Sequence, residues 1–142
     1  MKKGIDYTGI VVVFICHDGN GNILMQKRTD KCRDEHGRWE CGGGGVEFGE
    51  TLDDALRREL REESLTEPLD YQLLGYREIF REHKGRRTHW VAFDFKVLVD
   101  PERVGIGEPD MVNEIGWFSM DNLPDPMHSQ VPSTFAKYRH HF

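Results

Sequence analysis

Two apolar runs near the amino terminus, TGIVVVFIC and ILMQKR, flank the turn-forming stretch DGNGN, and this combination predicts two strands joined as a hairpin. The following run, TDKCRDEHGR, is polar and without periodicity, which predicts an exposed loop ahead of Trp39. After the glycines Gly42 to Gly45 the period changes from that of strands to that of a helix. Thr51 is placed to cap its start, Asp53 and Asp54 fall in its first turn, and the helix is expected to end near Leu65, before Pro68. Two further strand-like runs, LDYQLLGYREIF and THWVAFDFKVLV, are joined by the basic stretch REHKGRR. A loop over 100–113, a short strand EIGWFS and a closing helix in PSTFAKYRHHF complete the chain. Strands mixed with two or more helices, without strict alternation, predict an α/β fold with a mixed sheet between helices.

The wheel of the first helix sharpens this picture. At about 100° per residue, Leu52, Ala55, Leu56 and Leu60 gather on one face, and Glu59, Glu62 and Glu63 fall in the same sector further along the axis. Asp54, Arg57, Arg58 and Arg61 take the opposite face. Three carboxylates at i, i+3 and i+4 on a partly buried face repel one another and are poorly solvated unless protons or cations compensate. Hard divalent ions, Mg²⁺ or Mn²⁺, take such oxygen ligands together with water and phosphate. The alternative is a surface cluster bound by Arg57, Arg58 and Arg61.

Composition narrows the choice. The 142 residues, 37% hydrophobic and 31% charged, suit one domain spanning 1–142. A formal charge of −6 offers no global attraction for nucleic acid or an anionic membrane, so a polyanionic substrate must be held by local features or metal ions. Cys16, Cys32 and Cys41 form no CxxC pair and suggest a reducing, cytoplasmic setting. The amino-terminal apolar run is short and lacks a cleavage site, so it is read as a strand and not a signal peptide. The glycines nearly match a phosphate-binding loop, but Glu50 stands where its lysine would be, which argues against an ordinary nucleotide P-loop. They are expected instead to permit close backbone approach.

Together, Gly44, Glu50, Arg58, Glu59, Leu60, Glu62 and Glu63 fill in register a pattern that resembles the box of the Nudix hydrolases, of the mutator and ADP-ribose pyrophosphatase kinds. Leu65 replaces the last glycine of that box and Thr66 its last aliphatic residue. The resemblance implies a Nudix-type α/β/α sandwich and metal-dependent hydrolysis of a pyrophosphate bond in a nucleoside diphosphate linked to another moiety. It implies that Glu59, Glu62 and Glu63 hold Mg²⁺ or Mn²⁺, with the Gly44 carbonyl as a further ligand, and that Arg58 orients the acids through Glu50. Glu59, or an acid on a later loop, would accept a proton; Glu114 is the first choice for that acid and Glu108 the second. For the substrate, Trp39 and Phe48 are stacking candidates beside Phe80 and Trp117, and Arg28 and Arg81 are candidate phosphate or ribose contacts. The seven histidines show no metal-ligand spacing and are expected at the surface. A small-molecule nucleotide is the expected partner, without nucleic acid or membrane, and a homodimer is compatible with the family. A (deoxy)nucleoside triphosphate is favoured over ADP-ribose or a nucleotide sugar. The reading of another class is a nucleotide-sensing domain without catalysis.

Overall fold

The valine-rich run becomes β1 (Gly9–His17), the hub of a seven-stranded mixed sheet in the computed structural model, which describes residues 1–142. β2 (Asn22–Arg28) follows a turn in which the Asp18 carboxylate accepts from the Asn20 and Asn22 amides, while Gly19 and Gly21 take left-handed dihedrals. The expected hairpin is real only at this turn. β1 and β2 pair at His17 and Ile23 and then separate, because the first half of β1 is flanked by the glycines as β4 (Gly42–Gly45), in the register Val11–Gly45 to Phe14–Gly42. β2 pairs instead with β7 (Val112–Ser119) and with β3 (Trp39–Glu40). On its other side β1 runs parallel to β6 (Arg86–Leu98), which pairs along its length with the edge strand β5 (Asp70–His83). These last strands extend into the basic stretch expected to be a loop, and the turn shrinks to Lys84 and Gly85, both left-handed.

One helix covers each face of the sheet. α1 (Leu52–Ser64) buries Ala55, Leu56 and Leu60 against Val12, Phe14, Leu24, Phe95 and Val97. α2 (Val131–Tyr138) buries Val131, Phe135 and Tyr138 against Ile15, Ile23, Met25 and Trp39. A 3₁₀ turn, Arg139–His141, follows. The arrangement is a mixed sheet between helices, as the mixed order of strands and helices predicted, and the α/β/α sandwich that the resemblance implied.

α1 starts where the sequence indicated: the Thr51 hydroxyl accepts from the Asp54 amide at 3.1 Å. It ends on Leu65 in the left-handed conformation, φ 58°, with its amide on the Arg61 carbonyl. A glycine normally serves here. Beyond it the loop 100–111 closes the helix end, the Gly105 amide donating to the Ser64 carbonyl (3.0 Å) and the Gly107 amide to the Glu63 carbonyl (2.9 Å). A Cβ on Gly107 would lie 1.9 Å from the Glu62 carbonyl oxygen, so only glycine lets the loop come this close.

A buried polar knot ties β5, β6 and α2. Asp94, fully buried on β6, accepts a fork from Arg77 (Nε 2.7 Å, Nη2 2.8 Å) and the Tyr138 hydroxyl (2.7 Å). Burial and the adjacent carboxylate push the Tyr138 hydroxyl above its ordinary pKa. Replacing Asp94 by Asn leaves the Arg77 charge uncompensated in the interior, and an equilibrium urea titration is expected to show a loss of about 3 kcal/mol. Tyr138→Phe, which removes one hydrogen bond, should cost about 1 kcal/mol. At the helix end the change has the opposite sign. Leu65→Gly removes a left-handed penalty of about 1–2 kcal/mol and adds a backbone-freedom cost of about 0.5–1, so a net gain of up to about 1.5 kcal/mol is expected in the same titration.

Candidate active site

The acids of α1 meet β4 where the strand has no side chains. A Cβ built on Gly44 would lie 2.1 Å from the Glu59 carboxyl carbon, so the carboxylate rests against the bare strand. Glu63 reaches the open edge of β4, accepting from the Gly43 amide at 3.0 Å, with the Gln26 side-chain amide at 3.5 Å. Val46 donates to the Ile10 carbonyl, and antiparallel alternation from there turns residues 44 and 42 toward β1 and residues 43 and 45 toward the open edge. The bond to Glu63 at residue 43 and the bond from Arg58 to the residue 45 carbonyl follow that alternation. The Gly44 carbonyl is therefore engaged by β1, and the carbonyl turned toward the acids is that of Gly43, a correction to the expected ligand set.

Arg58 is the counter-charge of the cluster. Its guanidinium forks onto Glu50 (Nε 2.7 Å, Nη2 2.9 Å) and reaches Glu59 at 2.7 Å, Glu62 at 3.3 Å and the Gly45 carbonyl at 2.9 Å. The helical wheel had assigned Arg58 to the solvated face; its long side chain instead curls around the helix to the acids. The fork, with the Glu47 amide, holds the Glu50 carboxyl down at about 2. Burial pushes Glu59 up against the pull of Arg58, with Glu62 and Glu108 adding to the rise. Glu63 is pushed up further by burial and by the charges of Glu59 and Glu108. Glu108, held next to α1 by the Gly107 contact, is thus the loop acid that shares the field of the cluster. Glu114 stands exposed on β7 opposite Lys27. Glu108 is exposed as well, but unlike Glu114 it adds to the rise of Glu59 and Glu63.

Below the other face of β4 lies a cavity of about 290 Å³, walled by Val11, Val13, Gly42, Gly43, Arg28, Glu40, Arg77, Arg81, His128 and Phe135 among others. Arg28 and Arg81, two of the expected substrate contacts, are in this wall. Both are already paired, Arg28 with Asp34 (3.1 Å) and Glu40 (2.6 Å), Arg81 with Asp34 (3.3 Å) and Glu35 (2.8 Å). The Gln26 amide lies 3.3 Å from Glu40 and so links the cavity wall to Glu63. Trp39 and Phe48 do not line it. Trp39 is 7% exposed, edge-on to Phe118 in the α2-side core, and Phe48 projects fully exposed from the loop after β4.

The loop expected to be exposed ahead of Trp39 is tied through Glu35 to the segment that brings His128 into the cavity wall. Glu35, at φ 50°, accepts the Ser129 amide (2.7 Å) and hydroxyl (2.9 Å) and pairs with His128 at 2.8 Å. Burial alone would raise Glu35, but these partners and Arg81 outweigh it and lower its pKa; burial lowers that of His128 despite Glu35. His128 is therefore not a free surface residue. Periodicity had no means of finding it or Glu40. Arg77 had a signal that went unused: a partner acid, Asp94, in the middle of the apolar run VAFDFKV.

The donor set suits a hard divalent ion: clustered carboxylates, two of them resisting ionisation, beside an outward carbonyl. The NUDIX domain family model matches residues 7–138. The chain is 27% identical over 126 residues to the RNA pyrophosphohydrolase of Gluconacetobacter diazotrophicus, covering 76% of this chain and 75% of that protein. It is 50% identical over 44 residues to the nucleoside triphosphatase NudI of Escherichia fergusonii, a match spanning 31% of each. Among solved structures it resembles the MutT NUDIX hydrolase from Burkholderia pseudomallei, with TM-score 0.82 and 26% identity over 93% of this chain and 98% of that one. It shares the fold of the NUDIX domain of Shewanella oneidensis NrtR, solved as a complex with ADP ribose, with TM-score 0.71 and 16% identity over 99% of this chain and 90% of that one.

A carboxylate whose folded pKa is raised destabilises the fold when ionised, so stability is greatest at low pH and falls as pH rises through the folded value. Relative to the Glu63→Gln variant, the metal-free protein should therefore lose stability from pH 5 to pH 8. At pH 8 the variant is expected to be more stable by about 1 kcal/mol, roughly 3 °C in melting temperature, by calorimetry in EDTA.

Proposed function

This chain belongs to the NUDIX family, and on that footing we propose that it is a metal-dependent pyrophosphohydrolase acting on a (deoxy)nucleoside triphosphate. One observation carries the reading: Glu59 and Glu63 of α1 meet a strand without side chains, Glu62 joins them through Arg58, and Arg58 is the one cation paired with this cluster. Glu59, Glu62, Glu63 and the Gly43 carbonyl would hold Mg²⁺ or Mn²⁺. When bound, the metal neutralises phosphate charge, lowers the pKa of an attacking water and stabilises charge on the leaving group. Arg58, itself fixed by Glu50, positions Glu59 and Glu62. Glu108, which shares the field of Glu59 and Glu63, would accept the proton from water, with Glu59 as the second choice. The cavity behind β4 has the size and mixed lining to take the nucleoside end, its polar groups being Glu40, His128 and the arginines. Arg28 and Arg81 would contribute there through their spare N–H donors.

The relative named for RNA pyrophosphohydrolysis aligns over most of the chain and supplies a second reading, a 5′-triphosphorylated RNA. The paired state of the cavity arginines and the net charge of −6 favour the small nucleotide. No helix is long and apolar enough to cross a membrane.

The test is mass-resolved product analysis with Mg²⁺, and with EDTA as control. The panel comprises dNTPs, oxidised dNTPs, ADP-ribose, nucleotide sugars, dinucleoside polyphosphates and a triphosphorylated RNA oligonucleotide. A nucleoside monophosphate and pyrophosphate from one or more dNTPs is the expected result, with kcat reduced at least about 100-fold in Glu62→Gln and Glu63→Gln while the fold is retained. Nucleotide binding without turnover would replace the hydrolase by a sensing domain, and turnover of RNA alone would move the substrate assignment.

A further inference from the structure

The cations around the cavity and the acidic edge are nearly all neutralised. Arg28, Arg58, Arg77 and Arg81 each hold a carboxylate within 3.1 Å, and Arg33 stands 3.8 Å from Asp34. Lys3 is the exception. It comes from the amino-terminal turn, is half-buried, and makes no ion pair; its ammonium donates to the Val46 carbonyl at 2.9 Å. One hydrogen bond leaves an ammonium two free donors and its whole charge, a state that is poor in a half-buried place unless an anion is met there.

Its position says which anion. A Cβ built on Gly45 would lie 3.2 Å from the Lys3 Nζ, whereas one built on Gly44 would meet the Glu59 carboxylate. Successive residues of a strand point to opposite faces. The Lys3 ammonium therefore lies on the cavity side of β4, one residue along from the point where Glu59 touches its other side. Gly45 leaves the space in front of the ammonium open. Lys3 is also near enough to help hold the Glu50 carboxyl ionised.

The turn that carries Lys3 is fixed in place. The Gly4 amide donates to the Tyr7 carbonyl at 2.7 Å, the His89 amide donates to the Gly4 carbonyl at 2.8 Å, and the Trp90 ring packs so closely on Gly4 that a Cβ there would lie 2.2 Å from it. The Lys3 stem lies along Gly9. A long flexible side chain is thereby offered with part of its freedom already lost.

We propose that Lys3 is a phosphate contact of the substrate, donating to an oxygen of the phosphate chain where it passes from the cavity over β4 to Glu59, Glu62 and Glu63. The assignment rests on the nucleotide pyrophosphohydrolase reading above. It gives this chain a cation at the glycine strand from a segment more than forty residues upstream in sequence.

The experiment compares wild type with Lys3→Gln, Lys3→Met and Lys3→Arg. Lys3→Gln removes the charge while keeping a polar N–H donor one bond nearer the backbone, and Lys3→Met removes both charge and donor. Steady-state kinetics use the nucleotide that the panel identifies, and inorganic pyrophosphate is titrated calorimetrically in Mg²⁺. Lys3→Gln and Lys3→Met are expected to raise KM, and to weaken pyrophosphate binding, about tenfold, with kcat within about threefold of wild type and Lys3→Arg restoring most of the loss. Unchanged KM and pyrophosphate affinity in Lys3→Gln, with only the melting temperature lowered in Lys3→Met, would make Lys3 a clamp on the amino-terminal turn and overturn the proposal. Should wild type hydrolyse no nucleotide, the functional reading falls, and the pyrophosphate titration still decides the role of Lys3.

Discussion

A carboxylate can rest against the face of a sheet only where the strand beneath it carries nothing, and β4 meets that condition with four glycines in succession. Any side chain at Gly44 would expel Glu59, and with it the Arg58 network that holds Glu50 and Glu62. The same kind of approach recurs one turn further along α1, where Gly107 sits under the Glu62 carbonyl and brings Glu108 into the field of the cluster. Two absences of a Cβ thus define the site on either side of the C-terminal half of one helix. Strands normally avoid glycine because it packs poorly and loses much backbone entropy. Here the loss is accepted along a whole strand, stabilised by pairing with β1.

The acids themselves oppose the fold. Burial and mutual repulsion raise Glu59 and Glu63, and the protein offsets this with one arginine, one main-chain amide and the distant Gln26 amide. Glu50 behaves differently because the Arg58 fork satisfies it completely, so it stays ionised and acts as an anchor for the arginine. A network in which one acid is saturated and its neighbours are left short of donors is a network that gains from a cation.

Much of this was legible from spacing. The cap at Thr51, the apolar face of α1 and the carboxylates at i, i+3 and i+4 follow from helical geometry alone, and the box that resembles the Nudix hydrolases added Arg58 and Glu50. What stayed hidden depends on register and on contacts between distant segments. The hairpin failed after one pair because a strand of glycines, which no propensity scale favours, took the place beside β1. Which carbonyl of β4 faces the acids is decided by the parity of its hydrogen bonds, a one-residue question that composition cannot answer. Trp39 belonged to the core because a large aromatic residue at a strand start is most often buried there. Glu40 and His128 come from separate parts of the chain and meet only in the cavity wall, and Lys3 reaches β4 from the amino terminus only in the folded molecule.

The distribution of paired and unpaired charge then divides the labour of the site. Around the cavity each arginine is matched by an acid, so the enclosed space presents directed hydrogen-bond donors and acceptors with little net field. Such a wall suits an uncharged, planar or hydroxylated moiety more than a polyphosphate, whose charge would have to break existing ion pairs to be received. On the other side of β4 the field is strongly negative and calls for a cation. On the nucleotide reading proposed above, a phosphate chain would be held by neither compartment alone but would lie along the strand between them. There the absence of side chains leaves room, and the proposed metal on one side and the Lys3 ammonium on the other would supply the positive charge.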